Sequence, residues 1–154
     1  MAKTTKKSSS IDYSMVGIKI LKFSLSETEK LDLKKDSSIT LGLGLSGDFD
    51  LEENLLTITT SVEITKRNED FEHDKIAELK VGVRFMVENV DFIGEEGKVL
   101  MPKDLLVRLT GISISTTRGV LFTKFQGTNV EGMVFPLIDD NIIYDNLFKN
   151  SESE

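Results

Sequence analysis

Hydrophobic and polar positions alternate with a period of two over four stretches between residues 16 and 88, and a period of three to four follows. Ile39, Leu41, Leu43 and Leu45 alternate with Thr40, Gly42, Gly44 and Ser46, which predicts a half-buried strand; Gly47-Asp48 begins its turn. Leu56, Ile58, Thr60, Val62 and Ile64 point one way from the next strand, and Thr57, Thr59, Ser61, Glu63 and Thr65 the other. Ala77, Leu79, Val81, Val83, Phe85 and Val87, set against Glu78, Lys80, Gly82, Arg84, Met86 and Glu88, predict a strand of the same polarity. Ahead of these, Val16, Ile18 and Ile20 alternate with Gly17, Lys19 and Leu21; the run then continues from Lys22 to Leu25 on the other face, as a bulge near Leu21 would produce. The polar stretches between these strands, 26–35 and 66–75 among them, read as surface loops and not as helical crossovers, so the expected sheet is an antiparallel meander.

From Pro102 to Gln126 the period changes. Pro102 suits a first helical turn, and Asp104 places an acid near the positive end of the helix dipole. Leu105, Leu109, Ile112, Thr116 and Val120 recur at spacings of three or four, one stripe that would cap a sheet. Val107, Ile114 and Leu121 recur every seven residues on the opposite side, bordered by Gly111 and Ser115. That weakly polar second stripe predicts a contact with another subunit through Val107, Gly111, Ile114 and Leu121, in a dimer or a dimer of dimers. The run Ile112-Ser113-Ile114-Ser115-Thr116-Thr117 also alternates with period two between Gly111 and Gly119. A pair of strands in a barrel or sandwich that binds a small apolar ligand therefore fits the local pattern as well. Beyond Gly127, a small-residue connection leads into Phe135-Pro136-Leu137-Ile138-Asp139 and a short second helix capped by Asp139 or Asp140, with Ile142, Ile143, Leu147 and Phe148 on its apolar face. The predicted class is α+β: a four-stranded antiparallel sheet, then a long helix and a short second helix packed on one face.

At 154 residues the chain is most simply one domain, 11–150, between a disordered Ser/Thr-rich arm, 1–10, and an acidic tail, 151–154. A net charge of −7 with dispersed cations argues against nucleic acid as a partner, since phosphate binding needs clustered Lys and Arg. The absence of cysteine excludes thiol catalysis, disulfides and the usual structural zinc site. No secretory signal is legible and no stretch approaches about 20 apolar residues, so a cytoplasmic protein that does not insert in a membrane is expected.

The motifs that carry chemistry have cheaper structural explanations. Gly42-Leu43-Gly44-Leu45-Ser46-Gly47 matches the dinucleotide-binding glycine pattern, which must follow a strand and open a helix; here it lies within a strand. Asp48, Asp50, Glu52 and Glu53 lack the central glycine and closing glutamate of a calcium loop. His73, the sole histidine, sits in a charged loop with no second ligand nearby. Glu63, Glu78 and Glu88 share the outer sheet face, where a solvated surface explains them and an acidic surface for a partner is the functional counterpart. No catalytic residue, cofactor or metal is expected, and the chain is not read as an enzyme. An apolar surplus remains in Phe122, Phe125, Phe135, Leu137, Ile143 and Leu147, which belong either to the core or to an open groove that accepts apolar segments of another chain.

In order of elements the chain resembles the SecB family of protein-export chaperones. Ile112 followed by Thr117-Arg118-Gly119 is similar to a run in the second half of that family's long helix. Pro136-Leu137-Ile138-Asp139, with Phe148 downstream, looks like the stretch that leads into its second helix. The order matches from Val16 to Phe148, and the residues only over the last third; the family's Phe-Pro after the helix glycine is missing, and Val120 to Phe135 is longer than the corresponding connection. The resemblance implies an ATP-independent holdase for non-native polypeptides or preproteins, with the export translocase ATPase a candidate partner. It implies tetramer contacts along the long helix and client binding in the groove beside it. SecB-like proteins also serve single antitoxin clients, and the resemblance leaves general export and one dedicated client both open.

Overall fold

The computed structural model describes residues 12–26, 38–88 and 101–133, and beyond them 135, 138, 139, 142, 143 and 145. Four strands, β1 (Tyr13–Leu25), β2 (Ile39–Asp50), β3 (Leu55–Arg67) and β4 (His73–Val87), form one antiparallel sheet. Their order is β1-β4-β3-β2, so β1 lies beside β4 and not beside its neighbour in sequence. The expected simple meander holds for the last three strands only. Strand patterning fixes which residues share a face but says nothing about which strands are neighbours. Crossing from β1 to β2 means three inter-strand spacings, roughly 14 Å, within easy reach of the intervening chain.

The strands run further than the alternation alone implied. β2 continues through Gly47 and Asp48 and turns only after Asp50, whose carboxylate accepts the amides of Glu52 and Glu53. At the β3–β4 turn the Asn68 side-chain oxygen accepts the amides of Asp70 and Glu72, and Phe71 takes φ 62°. His73 is therefore the exposed first residue of β4, opposite Arg67. In β1 the register slips between Ile20 and Lys22, where the change of face was predicted, and again between Met15 and Gly17. These slips keep Met15, Ile18, Ile20, Phe23 and Leu25 opposite the inward residues Phe85, Val83, Val81, Leu79 and Ala77 of β4.

The ambiguous segment is helical: α1 (Lys103–Phe125) packs across β3 and β4 on the inner face of the sheet. This removes the rival barrel or sandwich. Pro102 precedes it with extended ψ, Asp104 lies in the first turn and Lys124 in the last, and Gly127 at φ 72° ends the run. By length and mean hydropathy, 1.2 over its most apolar window, α1 could cross a bilayer, contrary to the expectation that no stretch approaches a span. In this fold it covers the sheet. Most of the expected second helix lies outside the described residues.

The face that α1 turns to the sheet differs from the one expected. Leu105, Leu109, Ser113, Thr117 and Leu121 are buried in steps of four, with Thr110, Ile114 and Phe125 beside them. Ile112, Thr116 and Val120 are half-buried at the margin, so the helix is rotated by roughly a quarter turn from the stripe of apolar residues. Hydroxyls explain the rotation. Ser113 donates to the Leu109 carbonyl at 2.9 Å and Thr117 to the Ser113 carbonyl at 2.8 Å, so both sit satisfied against the sheet and let the backbones approach. Beneath them lie Ile58, Val62, Ile64, Leu79, Val81, Val83 and Phe85, each 3% exposed or less.

Candidate functional site

Along the outer side of α1 runs a groove of about 680 Å³, lined by Val107, Gly111, Ile112, Ile114, Ser115 and Thr116 of the helix and by Ile138 and Ile143 of the C-terminal segment. Its depth owes much to Gly111, since a Cβ built there would meet no atom within 4 Å. The groove is mostly apolar and open to solvent, and Arg108 and Arg118 are among the residues that line it. An open apolar channel of this size accommodates an extended chain segment, whereas a small ligand would need enclosure to bury most of its surface. The Arg118 guanidinium is occupied in part by the ring of Phe135, 5.8 Å from its centroid.

A second apolar surface lies on the inner face of β1, which the last turn of α1 meets at Phe23, through Phe125 and Lys124. Met15, Ile18, Ile20 and Phe23 are 37–51% exposed, in a row along a strand that is at the edge of the sheet among the described residues.

The residues expected to bind polypeptide are divided by the fold. Phe122 is 65% exposed on α1, and Ile143 lines the groove but is itself buried, at 4% exposure. Phe125 and Phe135 are core residues at 2% exposure, Phe125 with its ring 6.5 Å from that of Phe23. Leu137 and Leu147 lie outside the described residues. Of the four positions expected at a subunit contact, Val107, Gly111 and Ile114 line the groove. Leu121, at 1% exposure, is part of this subunit's own core, and Ile114 is 4% exposed. Because α1 is rotated, neither can form an exposed contact stripe. Ile112, expected under the helix, borders the groove instead. Arg108, Arg118 and Ile138 were not among the expected site residues. The legible signal was the pair Gly111 and Ser115, small residues one turn apart that open space on one side of a helix.

The acidic face is not acidic in its surroundings. Glu63 and Glu78 sit opposite each other on β3 and β4. Lys75 bridges them at 3.0 Å to each, and Lys22 reaches Glu78 at 2.8 Å. Hydrogen bonds from Lys22 and Lys75 hold the Glu78 carboxyl below the ordinary glutamate range, while those to Glu63 and Glu78 raise the Lys75 ammonium above the ordinary lysine value. Glu88, exposed, follows β4 and donates its amide to the Asp12 carbonyl. Among the described residues no group of three or more His, Asp or Glu is arranged to hold a metal.

A four-stranded antiparallel sheet with one long helix across its inner face is a SecB-like fold. The structure is similar to the SecB-like chaperone of Mycobacterium tuberculosis, solved in complex with a peptide from the HigA1 antitoxin, at a TM-score of 0.60 and 10% identity over 82% of this chain and 91% of that one. A protein of unknown function from Streptococcus agalactiae gives a TM-score of 0.41 at 6% identity over 83% of this chain and 99% of that one. No family model and no curated protein matches the sequence. The likeness is one of fold.

Proposed function

We propose that the chain is an ATP-independent chaperone that holds segments of non-native polypeptide in the groove along α1. The observation that carries this reading is the groove itself, apolar, open and about 680 Å³, on a helix whose opposite side is fully engaged with the sheet. Binding would rest on burial of client side chains against Val107, Ile112 and Ile138, at about 25 cal/mol per Å² of apolar surface. With no site for chemistry in the reading, affinity has to come from contact area and from release by competition or refolding.

The SecB-like fold supports the chaperone reading, and the antitoxin peptide bound by the mycobacterial protein favours a single dedicated client over general export. The translocase ATPase has no such support here. We place the protein in the cytoplasm, where such clients are made, and assign its assembly contact to the apolar edge strand β1 in place of Ile114 and Leu121. Suppression of aggregation of an unfolded client at equimolar protein tests the activity: full aggregation in the presence of folded protein contradicts it. Capture of clients from the native cytoplasm, read by mass spectrometry, separates the two client classes, since one antitoxin-like protein is expected and a broad preprotein set would indicate export.

A further inference from the structure

The outer face of the sheet, opposite α1, carries cations that the fold does not neutralise. Its carboxylates Glu63 and Glu78 are engaged by Lys22 and Lys75. Lys19, Lys80 and Arg84 make no ion pair among the described residues. All three surround Gly82: Lys19 faces it across the β1–β4 pairing, and Lys80 and Arg84 flank it along β4 on the same face. Leu21, set at the register slip of β1, lies over that glycine with Cδ1 3.4 Å from where its Cβ would be, and remains 48% exposed. The result is an apolar centre ringed by three cations. Of the other acids of this face, Asp48 and Asp50 are on β2 at the far edge, with Asp48 in the row of Arg84 but two strands, roughly 10 Å, away, and the exposed Glu88 lies just past the end of β4, four residues or about 13 Å beyond Arg84. In a chain of net charge −7, three neighbouring cations with no ion pair among the described residues stand out.

We propose that this patch docks an acidic, extended segment of a partner protein, with an apolar side chain on Leu21 and carboxylates toward Lys19, Lys80 and Arg84. Lys80 and Arg84 are four residues apart on one strand, about 13 Å, so the carboxylates that meet them are spaced about four residues apart in an extended partner. A nucleic acid fits less well, because no aromatic side chain lies among these residues for a base to stack on and the protein as a whole repels phosphate. Charge at such a flat surface acts mainly on encounter rate and specificity, and salt weakens it. The site is separate from the client groove, being on the other side of the sheet.

The test uses the full chain and a labelled peptide of about ten residues containing Glu-Ser-Leu-Ser-Glu, which sets both carboxylates and the leucine on one face when extended, with the same peptide carrying Lys for Glu and a single-stranded oligonucleotide alongside. The acidic peptide is expected to bind, more weakly at high salt, and the triple variant Lys19→Glu, Lys80→Glu, Arg84→Glu to weaken it on the order of tenfold or more. The neutral triple variant to Gln gives an intermediate loss, and both variants keep the parent circular dichroism and the parent suppression of client aggregation. Acidic-peptide binding that survives charge reversal overturns the proposal, as does tighter binding of the oligonucleotide at the same residues. A triple variant that loses aggregation suppression while folded would put these cations in client binding instead, and also overturns it.

Discussion

Two residues show how this sheet balances polarity. Thr60 is fully buried on the inner face between Ile58 and Val62, and its hydroxyl has no hydrogen-bond partner among the described residues. A buried donor left unmade costs about 1–3 kcal/mol, so Thr60→Val, which keeps the shape, should stabilise the fold. At roughly 2–4 °C per kcal/mol for a chain of this size, the gain is visible in a thermal melt. Glu78 works the other way. Its carboxyl is held below the ordinary value of 4.5, so its contribution to stability is present above that value and is lost as pH falls through the folded-state pKa. Lys75, raised above 10.5, contributes fully below that value and loses its contribution above it, so both partners act across the neutral range. Glu78→Gln should therefore unfold at lower denaturant than the parent at neutral pH, with the two curves converging in acid; a gap that persists in acid would mean that the charge is not what matters.

At the scale of elements, the alternation of β2, β3 and β4 was plain in the sequence because one face is packed and the other wet, and the bulge in β1 was visible as a break in phase at Leu21. Strand order was not visible, since it depends on where a loop leads. The helix was one of two readings of its segment, because the period-two run at 112–117 fits a strand as well, and its orientation was not readable at all. Counting apolar residues points Ile112, Thr116 and Val120 at the sheet, whereas Ser113 and Thr117 occupy that position because their hydroxyls bond back to carbonyls one turn earlier. The misplaced face carried the misplaced site with it: Leu121 became core and Ile112 became groove. This register is open to a direct check. Leu121→Asp would bury an unpaired charge and cost well over about 3 kcal/mol, while Ser115→Asp, exposed on the same helix, should change stability by no more than about 0.5 kcal/mol. A Leu121→Asp variant as tolerant of denaturant as Ser115→Asp would restore the original face.

For the whole molecule, the sheet divides two apolar surfaces from one charged one. The inner side carries the groove of α1 and the half-exposed row of β1, and the outer side carries the ion-paired glutamates and the cations around Gly82. If β1 pairs with a second copy, Ile20→Lys places a charge in that edge and lowers the mass in light scattering by one step without loss of fold, because Ile20 is already 42% exposed within the subunit. A variant that keeps the parent mass would remove the edge from the assembly. The groove is the centre of the functional account, and Gly111 is the residue that opens it. Gly111→Leu has room for the added side chain, replaces a poor helix former with a good one, and should leave the melting temperature unchanged or higher by the equivalent of about 0.5–1 kcal/mol. The decisive measurement is client binding by that variant, followed as suppression of aggregation across a titration: the expected result is a folded protein of equal or greater stability that needs at least about tenfold more chain for the same suppression, a loss of about 1.4 kcal/mol in affinity. A filled groove that still suppresses aggregation as the parent does would contradict the account.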